Sequence, residues 1–109
     1  MSARNHCLFI GRLTRDPEMT EVGKDKLSLT KFSLAIDRKD IGSDEVDYPD
    51  VECWGDLAER VAEHLGKGSQ VGVEARMKEG RWQDKETGKS RKSVSYTARD
   101  VQFLGSKPE

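Results

Sequence analysis

Three aromatic side chains and one basic run are the parts of this chain with chemistry to offer. Tyr48, Trp54 and Trp82 supply flat rings. Around Trp82, the stretch from Arg76 to Lys92 holds seven basic residues (Arg76, Lys78, Arg81, Lys85, Lys89, Arg91 and Lys92) against three acidic ones, Glu79, Asp84 and Glu86. Such rings stack on nucleobases of any sequence because every base has a π-face, and a basic track meets the charge that every nucleotide carries. A charge run alone is usually solvated surface. This one surrounds a tryptophan with no apolar neighbours, and large exposed rings usually serve an interface. Trp54 has a stronger rival reading as a core residue at a helix entrance, since W-G-D directly precedes a helical pattern.

The carboxylates, histidines and thiols do not converge in the same way. Asp47, Asp50 and Glu52 include a same-face pair, Asp50 and Glu52, of the kind that holds a metal in a nuclease. No convergent His or Lys and no phosphate-binding Gly loop accompanies them, so catalysis is not expected. His6 and His64 are far apart in sequence, and His64 falls on the polar face of a helix, where a solvated histidine is the better reading. Cys7 and Cys53 lie in apolar, strand-like runs without a C-x-x-C or a His/Cys cluster. Buried reduced thiols are expected there rather than a disulfide or a zinc site, and no cofactor or metal is implied. Net charge is −1, yet Asp37 to Glu52 carries seven acidic residues against Arg38 and Lys39 alone. That loop is not expected to grip a polyanion.

These side chains must be placed by a sheet and a helix. Asp56 to Leu65 sets Leu57, Ala58, Val61, Ala62 and Leu65 on one stripe backed by Glu59, Arg60, Glu63 and His64, an amphipathic helix. Asp56 is expected to cap it, with Glu59 reaching back to the cap amide, and Gly66 to end it in the left-handed conformation. A helix this short needs a partner, and Val71, Val73, Ala75 and Met77, alternating with polar or small residues, predict the strand it docks on. Earlier in the chain, Cys7 to Thr14 reads as a strand apolar on both faces, Cys7 and Phe9 on one and Leu8 and Ile10 on the other. That pattern suits a strand covered outside by a second subunit, with Gly11 where it bends. Asp16-Pro17-Glu18 is a breaker and Val22 to Asp25 a turn; Leu27 to Asp37 is the second strand and Tyr48 to Trp54 the third. Tyr48 and Trp54 share the parity opposite to Val51 and Cys53, which turns both rings out of the wall. Gly80 to Lys92 reads as a hairpin arm with Glu86-Thr87-Gly88-Lys89 at its tip. Val94 to Phe103 forms the fifth strand, its alternation shifting at Arg99-Asp100 as a bulge would shift it.

The length, 109 residues, fits one domain over the whole chain, and 36% charged against 34% hydrophobic residues favours a small barrel over a thick layered fold. The longest apolar run, Cys7 to Ile10, is far below the roughly 18 residues of a membrane span. The start, M-S-A-R-N-H, lacks the apolar centre of a signal peptide, so a cytoplasmic protein is expected.

Five strands with one helix between the third and fourth and a long hairpin arm between the fourth and fifth is the order of an all-β OB-fold, a five-stranded Greek-key barrel. The segments F-I-G-R-L-T-R-D-P-E (Phe9 to Glu18), K-F-S-L-A-I (Lys31 to Ile36), W-G-D-L-A-E (Trp54 to Glu59), L-G-K-G-S-Q-V (Leu65 to Val71) and V-Q-F-L-G (Val101 to Gly105) resemble, in order and spacing, bacterial single-stranded DNA-binding proteins. The resemblance implies a homotetramer assembled from dimers that wraps single-stranded DNA without sequence preference in replication, recombination and repair. Tyr48, Trp54 and Trp82 match the family's stacking positions, although Trp is frequent where Tyr48 stands. Arg12 and Lys67, inside the matching blocks, join the basic arm as candidate DNA-binding residues, and Cys7, Leu8, Phe9 and Ile10 as the candidate subunit interface. The acidic loop and Asp56 depart from the basic residues common at those positions. The chain stops at Gly105-Ser106-Lys107-Pro108-Glu109, a short flexible end, without the linker and acidic tip usual in relatives, so tail-borne recruitment of repair proteins is not expected. The alternative is a tail-less OB module of the primosomal type, a dimer that docks replication-restart proteins.

Overall fold

The computed structural model describes residues 3–105. Its strands are β1 (Cys7–Leu13), β2 (Glu18–Val22), β3 (Leu27–Asp37), β4 (Val46–Asp47), β5 (Asp50–Trp54), β6 (Gln70–Gln83) and β7 (Ser90–Phe103), and α1 (Asp56–His64) stands between β5 and β6. Strand neighbours run β1-β6-β7-β5-β3, and β3 returns to β1 through the pairs Arg12↔Ala35 and Leu13↔Leu34. The ring of five is therefore closed. All its pairs are antiparallel except β5 with β7, where Val51↔Tyr96 and Glu52↔Thr97 run parallel. This is the OB-fold predicted from the strand order. No helix of the described residues is long and apolar enough to cross a membrane.

Alternation drives the closure. Phe32 and Leu34 of β3, Val51 and Cys53 of β5, Val71, Val73 and Ala75 of β6, and Ala98 and Val101 of β7 turn inward and are buried. The helix covers this core with Ala58 and Val61, joined by Leu65 just past its end, and the buried Thr30 hydroxyl donates to the Ala58 carbonyl at 2.7 Å, which fixes the depth of the helix. β1 passes from β6 to β3 at Arg12, which pairs with both Gln70 and Ala35, and at Gly11 beside it the backbone runs so close that an added Cβ would lie 2.7 Å from the Ala35 carbonyl oxygen. The bulge predicted near Arg99 is present: Glu74 pairs with Asp100 and Ala75 with Ala98, leaving Arg99 as the extra residue.

Several local expectations differ from the fold. Glu18–Val22 is a strand, pairing with β3 on the outside of the ring, rather than a breaker followed only by a turn. Asp56 does not cap α1: the N-cap is Gly55, at φ 68°, with no side-chain cap hydrogen bond, and Asp56 is the first helical residue. Gly66 does not end the helix in the left-handed region. Leu65 leaves in an extended conformation, which drops its side chain into the core, and Gly68 takes the positive φ three residues later. Met77 is exposed because β6 has by then passed the barrel rim into the arm. Both thiols are free, Cys53 fully buried and Cys7 only half-buried. Of the terminal stretch 105–109, only Gly105 lies within the described residues.

Candidate nucleic-acid interface

The arm is a two-stranded ribbon made by the far halves of β6 and β7, which pair without interruption from Ala75↔Ala98 to Gln83↔Ser90. Its tip is closed by Asp84, whose Oδ1 accepts the Glu86 amide at 2.9 Å and whose carbonyl accepts the Gly88 amide at 2.8 Å. Gly88, at φ 70°, makes that turn possible. Paired residues of a ribbon share a face, and alternate residues change face. Trp82, Gly80, Lys78 and Arg76 therefore lie on one side with Arg91, Ser93, Ser95 and Thr97 across from them. Arg81 and Lys92 pair with each other on the opposite side, with Glu79 beside them. The basic run around Trp82 thus divides between two faces, which spacing along the chain does not reveal.

The Trp82 face continues onto the barrel. In β5 the inward residues are Val51 and Cys53, so Asp50, Glu52 and Trp54 stand on the outer surface, next to Thr97 of β7. Glu52 Oε1 accepts the Thr97 hydroxyl at 3.1 Å and meets Lys78 Nζ at 3.4 Å, which ties barrel wall and arm into one surface. Trp54 is partly exposed on this surface, paired with the buried Leu29 of β3. Trp82 stands 53% exposed farther along it. Gly80, between Lys78 and Trp82, lacks a side chain, and the Ser93 hydroxyl across from it lies where one would stand. Where the arm leaves β5, Arg15, Lys31, Asp50, Glu52, Ser93 and Ser95 border a cleft of about 360 Å³.

Tyr48 is placed differently. Tyr48 and Pro49 lie outside the strands, between β4 and β5, and this break cancels the parity argument that aligned Tyr48 with Trp54. The exposed Tyr48 ring instead borders a cleft of about 300 Å³ with Phe9, Val94 and Tyr96 at the mouth of the barrel. Arg12 and Lys67 are also remote from the arm. Both lie toward the other end of β6, where Arg12 Nη1 donates to the Gly68 carbonyl at 3.0 Å and the Lys67 backbone amide donates to Asp16 at 2.8 Å. From Gln70 beside them to Trp82 is on the order of 40 Å along an extended strand. Lys85, Lys89 and Arg91 cluster near the arm tip, with Arg91 Nη2 3.5 Å from Asp84 Oδ2.

The acidic loop is self-contained. Arg38 grips Asp47 through Nε and Nη2, with Nε 3.0 Å from each carboxylate oxygen, and its Nη1 reaches Glu45. Hydrogen bonding to Arg38 lowers the Asp47 carboxyl below its ordinary value, and the same bond to Asp47 raises Arg38. The loop's arginine is thereby neutralised in place. Lys31 and Arg15, which spacing does not single out, reach the cleft beside Glu52; the signal for Lys31 is cross-strand, since it pairs with Glu52, whereas Arg15 lies in the bend after β1 and has no such signal. Among the described residues no three His, Cys, Asp or Glu side chains come together as a metal site would require.

A closed five-strand barrel carrying tryptophans on one continuous outer surface and a basic ribbon belongs to the OB-fold class of binding domains. The chain belongs to the single-strand binding protein family, whose model matches residues 4–104. It is 39% identical over 112 residues to a single-stranded DNA-binding protein of Treponema pallidum, with 97% of this chain aligned and 61% of that protein covered. Single-stranded DNA-binding protein 2 of Clostridium acetobutylicum is 35% identical, with 92% of this chain aligned and 76% of that protein covered. Single-stranded DNA-binding protein 1 of the same organism is 32% identical, with 96% and 97% covered.

Proposed function

We propose that this chain binds single-stranded DNA without sequence preference, stacking bases on Trp54 and Trp82 and holding phosphates with the cations of the arm. Membership of the single-strand binding protein family supports the ligand. The observation that carries the mode is the placement of Trp82, more than half exposed on a ribbon face with Lys78 behind it and Arg91 directly across. A ring in that position offers its π-face to a base, and the flanking cations lie where the adjoining phosphates would pass. Lys85 and Lys89 extend the cationic track to the tip, and Tyr48 adds a ring at the barrel mouth. Arg12 and Lys67 contribute only if the strand wraps to the far end of β6.

The protein works in the cytoplasm, in replication, recombination and repair, as a homotetramer. The assembly reading rests on β1: Leu8 and Ile10 point outward, 69% and 58% exposed, on the same strand whose Cys7 and Phe9 face the core. A second copy is the partner that covers such a strand. The test is titration of intrinsic tryptophan fluorescence with oligo-dT and with duplex, beside light scattering. Quenching by oligo-dT alone, on a four-subunit particle, is the expected result. No quenching and no gel shift with oligo-dT would overturn the binding reading, and a dimer would favour the primosomal docking module.

A further inference from the structure

We infer that Glu52 is a built-in counter-ion on the DNA-binding surface, one that competes with phosphate for Lys78 and sets both the strength and the salt dependence of binding. The inference rests on the single-strand-binding reading and deepens it by naming a carboxylate that opposes the ligand. Glu52 projects from β5 onto the outer surface two residues before Trp54, so it shares that ring's face. Its side chain is only 14% exposed, far less than that of Lys78, at 54%. The Thr97 hydroxyl, 3.1 Å away, holds it in place, and Lys78 Nζ lies 3.4 Å away. Lys31, across the β3–β5 pairing, flanks it on the other side. A fixed negative charge therefore sits between the two tryptophans that the DNA is proposed to join.

The arm repeats this arrangement. Glu79 lies 3.0 Å from Arg81 and 4.0 Å from Lys92, and Asp84 lies 3.5 Å from Arg91. With Glu52 and Lys78, three carboxylates occupy four of the seven basic residues from Arg76 to Lys92. Arg76, Lys85 and Lys89 form no ion pair among the described residues. A phosphate that draws Lys78 away from Glu52 leaves a carboxylate that recruits a cation from solution. That uptake offsets part of the cation release from DNA, which gives a slope of about −0.7 in log K against log salt for each phosphate neutralised. The paired cations contribute less than this full slope, whereas Lys89 contributes all of it. Glu52 differs from Glu79 and Asp84 in being the least exposed of the three, so its charge is least screened by solvent.

The experiment measures oligo-dT affinity by fluorescence titration from 50 to 500 mM NaCl in the wild type, Glu52→Gln, Glu63→Gln and Lys89→Glu. Glutamine keeps an oxygen to accept from Thr97 and removes only the charge. Glu52→Gln is expected to bind roughly two- to fivefold tighter at the lowest salt, the range of one partly exposed ion pair, and to steepen the salt slope. Glu63→Gln, on the outer face of α1, is the control for a change in net charge and leaves both unchanged; Lys89→Glu flattens the slope. Wild-type affinity and slope in Glu52→Gln would overturn the inference while leaving single-strand binding intact, as would weaker binding, which would make Glu52 an anchor for Lys78. A wild type that fails to bind oligo-dT at all would overturn both.

Discussion

Trp82 stands directly opposite Arg91 in the antiparallel ribbon of the arm, with Lys78 four residues back on the same face. Arg81, its neighbour in sequence, is turned away. This relationship orders the expected effects of mutation. Trp82→Ala should weaken oligo-dT binding by roughly 1 to 3 kcal/mol, the range of a single base–aromatic stack. Because the exposed ring contributes little to the core, the melting temperature should stay near that of the wild type. Trp54→Ala should lower both affinity and stability, since that side chain adjoins the buried Leu29. Oligo-dT titrations run beside thermal melts check both. Unchanged affinity in Trp82→Ala would move the stacking platform off the arm.

Gly11→Ala tests the closure of the barrel. The added methyl would meet the Ala35 carbonyl oxygen at 2.7 Å and Ile36 Cγ1 at 2.9 Å. The first of these is backbone and cannot swing aside. Forcing the strands apart should cost about 1 to 3 kcal/mol, as overpacking of a filled core does. A chemical denaturation midpoint equal to that of the wild type would show that β1 and β3 separate there without cost.

The ring order, the core and the bulge were legible in the chain because each follows from alternation. Val71, Val73 and Ala75 face inward in the same way that Val51 and Cys53 do, and the phase change at Arg99 marks its own bulge. β2 carried no such signal: all five of its residues are exposed, so nothing in Glu18–Val22 distinguishes a strand from a loop. The ends of α1 are not legible in the same way, because side-chain capping competes with chain direction. Gly55 at φ 68° turns the chain into the helix without Asp56, and burial of Leu65 pulls it out before Gly66. The site was legible by residue type and not by face. Which side of the arm each cation occupies depends on register, and the pairing of Lys78 with Glu52 spans 26 positions of sequence.

The assembly proposal makes its own prediction. Ile10 projects outward across from Gly72, which offers no side chain to cover it, and Leu8 lies across from Glu74. Ile10→Asp should leave the monomer's far-UV circular dichroism unchanged, since no core contact is lost. Placed against a second copy, the charge would be buried without a partner, and light scattering should show a smaller particle than the wild type. A tetramer in the variant would place the interface elsewhere.

Cys53 predicts a dependence on alkaline pH. Burial, with the Glu52 carboxylate adding to it, pushes its thiol up to about 12. In the unfolded chain the same thiol ionises near 8.5. Between these values the unfolded state has lost a proton that the folded state keeps, so stability falls as pH rises. The contribution is fully present below the unfolded value and is lost progressively as pH climbs toward 12. Thermal melts of the wild type and Cys53→Ala from pH 7 to pH 11 isolate it, because the other titrating groups are common to both. The variant, with a small cavity in place of the sulfur, should melt lower at pH 7. From about pH 8.5 upward the gap should narrow, since only the wild type carries the thiol. A gap that stays constant across that range would mean that the core does not hold the Cys53 thiol neutral.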